Sequence, residues 1–199
     1  MQCPVYYILL FFMMPICAMD LNQEQKKALI KTFDQFINIL KSSSQEPSVS
    51  SFIPEDAQKE FMKGLDLLEK FSKTLPHEPV FELLPYIALS FHNAHETHTT
   101  SCYWSNKKKK HIEKKKKIVF PLAAYACAVA CNFNGDFQSS LALLKKAYNP
   151  YLTFPLSICI PKELMSLAFR VKFEPAQEYL RTHPEIIKQL KNDEEKNII

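Results

Sequence analysis

The chain is 199 residues long, 47% hydrophobic and 23% charged, which is enough apolar material for one sizeable core or a short helical array and excludes disorder throughout. Gly64 and Gly135 are its two glycines, where average usage supplies roughly fourteen, and this excludes the glycine-clustered loops that cradle dinucleotide and nucleotide phosphates. The net charge of +4 rests on lysine, with Arg170 and Arg181 the only arginines; lysine attracts any polyanion as a point charge, while reading guanine edges relies on arginine's planar fork.

Met1 to Met19 carries no charged side chain, and Val5 to Met14 is a continuous apolar run. It has two readings. Pro15 followed by Ile16, Cys17 and Ala18 resembles a small-residue cleavage site that would leave a polar start at Asp20, as in a secretory signal; the other reading is a buried first helix. Pro4 and Pro15 confine its helical part to about ten residues, too few for a membrane span, which needs about twenty. A mitochondrial transit peptide is rich in Arg and Ser, and this segment is not.

Asn22 can cap a helix with Gln25 three residues on, and Leu29, Phe33, Phe36, Ile37 and Leu40 follow at helical spacing. Ser42 to Ser51 reads as a polar linker, after which Pro54 opens a helix with the stripe Phe61, Leu65, Leu68, Phe71 or Ser72, and Leu75. Pro76 ends it. Pro79 starts an apolar segment, Val80 to Phe91, that Pro85 is expected to kink or split.

From His92 the character turns polar and leads into Lys107 to Lys117, with eight lysines and one glutamate in eleven positions. Like charges four apart repel on a helix, so an exposed, solvated loop is expected. Pro121 to Phe133 and Phe137 to Tyr148 read as helices broken at Asn134-Gly135-Asp136; the flanks lack the period-two alternation of a hairpin. Pro161, Pro175 and Pro184 are each expected to begin a further helix. Every well-patterned segment is helical and no strand is expected, giving an all-α chain of antiparallel helical hairpins. Its parts are a leader (1–19), an N-terminal helical region (20–91), a polar His/Lys-rich insert (92–118) and stacked hairpins (119–199).

A shift of 36 residues superposes Ala128 on Leu164, Cys131 on Leu167, Phe137 on Phe173, Ser140 on Ala176 and Leu144 on Leu180. The interval is close to the roughly 34 residues of two-helix repeats, which bury their apolar faces by stacking on neighbours. Ala124 to Pro150, with Ala128, the turn Gly135-Asp136-Phe137, Ser140, Ala147 and Pro150, resembles one unit of the tetratricopeptide and pentatricopeptide repeat family. In the second copy Val171 stands where the family has glycine. The segment Tyr86 to Pro150 is also similar to the small mitochondrial pentatricopeptide proteins of animals, which implies a role in mitochondrial RNA maturation. Ala126 stands where those repeats read a base and cannot hydrogen-bond a base edge, so the resemblance does not extend to base-specific readout.

His92, His95, His98 and Cys102 are ligand types which, on one helix, would fall within about a third of its circumference, close enough to share a zinc ion. His95-Glu96-Thr97-His98 is one residue short of the H-E-x-x-H of hydrolytic zinc sites, and polar residues entering an exposed loop explain the cluster without metal. Cys102 beside His98 is a conceivable nucleophile pair, yet no catalytic motif accompanies it. Cys127 and Cys131, four apart in an Ala-rich stretch, read as small core residues. Lys107, Lys108, Lys109, Lys110, Lys114, Lys115, Lys116 and Lys117 are candidates for salt-sensitive polyanion contact, with Tyr103, Trp104 and His111 nearby for stacking. The expectation is a non-enzymatic binding module without cofactor or small-molecule substrate, its partner a protein or RNA. The alternative is a secreted or lumenal helical binding protein with a disulfide between Cys102 and Cys159.

Overall fold

The computed structural model describes residues 23–44, 53–74, 83–105, 110–152 and 155–196. The leader, Asn22, Leu75, Pro76, Pro79 and Lys107 to Lys109 lie outside them. In chain order the elements are α1 (Gln23–Ser44), α2 (Glu55–Thr74), α3 (Leu83–His95), β1 (Glu96–Ser105), β2 (Lys110–Val119), α4 (Pro121–Phe133), α5 (Phe137–Ala147), α6 (Leu156–Met165), a π-helical turn (Ser166–Arg170), α7 (Glu174–Thr182) and α8 (Pro184–Lys196). The result is an all-α array of packed helices with one two-stranded hairpin inserted between α3 and α4.

The predicted stripes face inward: Phe33, Phe36, Ile37 and Leu40 of α1, and Phe61, Leu65, Leu68, Phe71 and Ser72 of α2, are all buried. Phe33 stacks on Phe133 of α4, with ring centroids 4.6 Å apart, and meets Phe71 edge-on at 5.1 Å. Phe36 meets Tyr125 at 5.8 Å. These aromatic contacts join α1, α2 and α4 into one continuous core across the hairpin.

At the centre is α4. Eleven of its thirteen residues are buried, Pro121 and Cys131 being the exceptions. Its alanines, Ala123, Ala124, Ala126, Ala128 and Ala130, let neighbouring helices approach from several sides at little cost in side-chain entropy. The α4–α5 turn is the predicted one: Gly135 takes a left-handed φ of 77°, and the Asp136 carboxylate caps α5 by accepting from the Ser139 amide at 3.0 Å. The 36-residue shift superposes burial at four of its five pairs, the exception being Cys131, half-buried where Leu167 is buried. Ala128 and Leu164, Ser140 and Ala176, and Leu144 and Leu180 are buried pairs, while Phe137 and Phe173 are both half-buried with rings 6.2 Å apart.

Four local expectations are corrected. The insert is an antiparallel hairpin, with Glu96 opposite Val119 and Ser105 opposite Lys110; Thr, Tyr and Trp in β1 favour extended backbone, and a strand sends successive lysine positions to alternate faces. Pro85 does not split α3, which runs unbroken from Leu83 to His95, because it lies in the first turn, where its missing N–H has no helical acceptor to bond. Pro161 does not begin α6 but sits inside it, in a run buried from Leu156 to Leu164; burial of that run offsets the roughly 3 kcal/mol that an internal proline costs. Ser42 to Ser44, read as the start of a linker, finish α1, with the Ser42 and Ser44 hydroxyls donating to the carbonyls of Ile39 and Lys41. At Val171, which the 36-residue shift superposes on Gly135, φ is −72°; the next residue, Lys172, takes the positive φ, 57°.

Candidate functional site

The hairpin tie Phe120 N–H to His95 C=O, 2.9 Å, and the contact of Cys127 with Ala88, Sγ donating to the carbonyl at 3.3 Å, set α3 and α4 antiparallel. The three-residue turn 134–136 folds α5 back along α4. Helices α3 and α5 therefore flank α4 and leave a groove of about 440 Å³ whose floor carries Cys127 and Cys131. Pro85, Ala88, Leu89 and His92 form one wall. Ser139, Ala142, Leu143 and Lys146 form the other.

The antiparallel order gives the groove a direction. His92 near the end of α3 and Lys146 near the end of α5 both lie by the start of α4, so one end is basic. Asn134 and Asp136 lie at the opposite end, where α4 finishes, so that end is acidic. Between them the lining is mostly apolar, and Leu89 stands 54% exposed on the rim. Tyr86, one turn earlier on α3, is 62% exposed. A second hollow, between α1 and α2, has polar groups that satisfy one another: the Ser72 hydroxyl donates to Asp34 at 2.8 Å, and Lys41 pairs with Glu69.

The two floor cysteines differ. Cys127 is buried, and Cys131 is half-buried. A hydrogen bond between the two thiols, together with burial, raises the Cys127 pKa, and the same bond lowers that of Cys131.

Behind the groove, α4 meets α6 through a buried polar group. The Asn132 amide donates to Glu163 at 2.6 Å, and both residues are buried. Burial raises the Glu163 carboxyl to about 7, against the opposing Asn132 hydrogen bond and the charge of Arg170. Tyr125 is held well above its ordinary value by burial, by the nearby Cys159 and Glu163 charges and by its hydrogen bond with Cys159.

The histidine-cysteine cluster is divided by the secondary structure. Because α3 ends at His95 and β1 begins at Glu96, the single helix on which four ligands would share a face does not exist. His92 is exposed at the groove and His95 is buried, so His95 is not the loop residue the sequence suggested. The register sets His98 opposite Lys117 and Cys102 opposite Glu113. Among the described residues no group of three or more His, Cys, Asp or Glu is placed to hold a metal. Lys110 and Lys114 to Lys117 belong to β2. Cys159 is a buried thiol in α6, so the disulfide to Cys102 is not formed. No helix among the described residues is long and apolar enough to cross a membrane.

Sequence reasoning missed Leu89, Ala142, Leu143 and Lys146 as groove residues, and it missed Glu163. A lone carboxylate within the apolar stretch Leu156 to Leu167 is the signal that could have marked Glu163. In comparisons with family models, curated proteins and solved structures, nothing matches the chain.

Proposed function

We propose that the chain is a non-enzymatic helical-hairpin module that binds a peptide segment of a protein partner in the groove between α3 and α5. The observation that carries this is the groove's lining: an apolar middle with Lys146 and His92 at one end and Asp136 at the other. A peptide with apolar side chains at its centre, an acidic group toward Lys146 and a basic group toward Asp136 complements all three zones. A nucleic-acid backbone needs repeated cations along a strand, and the groove offers Lys146 while opposing phosphate with Asp136.

The test is selection of a displayed random peptide library on the immobilised full chain, followed by fluorescence anisotropy with the enriched peptides. Enrichment of acidic-apolar peptides whose binding is lost in Leu89→Asp and weakened in Lys146→Glu is the expected result. Failure to enrich any sequence, or binding unaffected by both substitutions, contradicts the proposal.

An RNA partner remains a second reading because of one observation on the hairpin. Positions Lys114 to Lys117 lie opposite Ser101, Thr100, Thr99 and His98 in the backbone register, none of them Asp or Glu. Polyanion contact there predicts that affinity for single-stranded RNA falls with salt at a logarithmic slope of about −0.7 per neutralised phosphate. A slope near zero, or one unchanged when Lys114 to Lys117 are replaced by Gln, rules it out.

A further inference from the structure

The hairpin between α3 and α4 has two faces, and its backbone register sorts the charges between them. Opposite residues of a β-ribbon share a face, and successive residues alternate. One face takes positions Lys110, Lys114 and Lys116, together with Tyr103 opposite Ile112, and its other β1 positions are all Ser or Thr. No carboxylate falls on it. The other face takes Lys115 and Lys117, but also Glu96 and Glu113, so each lysine there is balanced by an acid. A lysine run that looks uniform in the sequence is thus divided into a face of three cations and a face without net charge.

We propose that the first of these faces binds single-stranded RNA, with Lys114 and Lys116 on successive phosphates, Lys110 two steps further along, and a base between them stacked on Tyr103. This deepens the RNA reading of the hairpin, on which it rests, and is independent of the peptide groove. Spacing supports it. A strand rises about 3.3 Å per residue, so alternate lysine positions recur about every 7 Å, close to the phosphate-to-phosphate step of an extended single strand. In the series 110, 112, 114, 116 only position 112 lacks a lysine, and Tyr103 stands across the ribbon from it. An aromatic platform between cations accepts any unpaired base through its π-face, so the site tolerates sequence. Twist selects the form of the nucleic acid. Two-stranded ribbons are strongly twisted; a flexible single strand follows such a surface, whereas a stiff duplex does not, and its bases are already stacked on one another.

The test is fluorescence anisotropy of the full chain with a short labelled oligouridine across a range of salt concentrations. Two variants remove the same charge from opposite faces: Lys114→Gln/Lys116→Gln and Lys115→Gln/Lys117→Gln. The first is expected to reduce the slope of log affinity against log salt by about 1.4, two phosphates at about 0.7 each, and the second to leave it unchanged. Tyr103→Ala is expected to weaken binding at least about fivefold, while Trp104→Ala, on the other face, does not. Equal slopes in the two lysine variants overturn the face assignment and leave the RNA reading standing, because a diffuse field does not distinguish the faces. A duplex of the same length bound as tightly as the single strand also overturns it. A parent chain without salt-sensitive affinity removes the RNA reading and this inference together. Cross-strand Hα contacts in NMR spectra show whether each variant keeps the ribbon; should glutamine disturb it, Lys→Thr, which favours extended backbone, gives the same comparison.

Discussion

Glu163→Gln isolates one proton at the α4–α6 interface. The Glu163 carboxyl titrates at about 7 instead of its ordinary 4.5 because it is buried. Between those two values the folded chain keeps a proton that the unfolded chain releases, so stability falls as pH rises through this window and levels off above about 7. A shift of this size corresponds to about 3 kcal/mol lost between pH 4.5 and pH 8. Glutamine has the same shape, can still accept from the Asn132 amide, and cannot ionise. It also brings a donor to a pocket where Asn132 Oδ1 has no hydrogen-bond partner. Urea denaturation of both chains at pH 5 and pH 8 separates the effect from other carboxylates, which titrate alike in the two. The expected result is near-equal stability at pH 5 and a more stable glutamine chain at pH 8, by up to about 3 kcal/mol. The same pH dependence in both chains would refute the buried, protonated carboxyl.

Substitutions at three further positions test the packing and the α5 cap. A Cβ on Gly64 would lie 2.7 Å from the Phe91 ring, which is fully buried, so Gly64→Ala is expected to lose about 1–3 kcal/mol through overpacking, read as a lower urea midpoint; an unchanged midpoint would mean that α2 and α3 do not approach so closely. Phe33→Ala removes the ring that stacks on Phe133 and meets Phe71, at an expected cost of about 3–5 kcal/mol in the same assay. Asp136→Ala removes the cap of α5 and is expected to cost about 1 kcal/mol, while Asp136→Asn, which keeps an acceptor, recovers most of it.

The helices were legible because each carries its own record in the spacing of apolar residues: Phe33 to Leu40 and Phe61 to Phe71 name their buried faces without reference to any partner. The 134–136 turn was legible for the same reason, since Gly135 and Asp136 act on their immediate neighbours. What failed was context. Proline at 85 or 161 reads as a breaker in isolation, but its cost depends on whether its nitrogen falls in a first turn or within a run buried strongly enough to offset the loss. The lysine-rich insert was judged by repulsion along a helix, and pairing with β1 supplied an alternative that the local rule did not consider. The groove was hidden because Leu89, Cys131 and Lys146 belong to three helices, and only their antiparallel packing brings them together. Both cysteines line the groove floor, but Cys127 is buried, as its reading as a small core residue required, while Cys131, one turn on, is half-buried.

The central claim is that α4 is the buried axis on which the flanking helices stack, open only along the groove. Native-state hydrogen exchange followed by NMR tests it most directly. Amides from Tyr125 to Phe133 should exchange only through global unfolding, with a free energy equal to that from urea denaturation, while those of α8 exchange through smaller local openings. Exchange of the α4 amides at the rate of the α8 amides, or through an opening well below the global value, would contradict the stacked arrangement and the groove built on it.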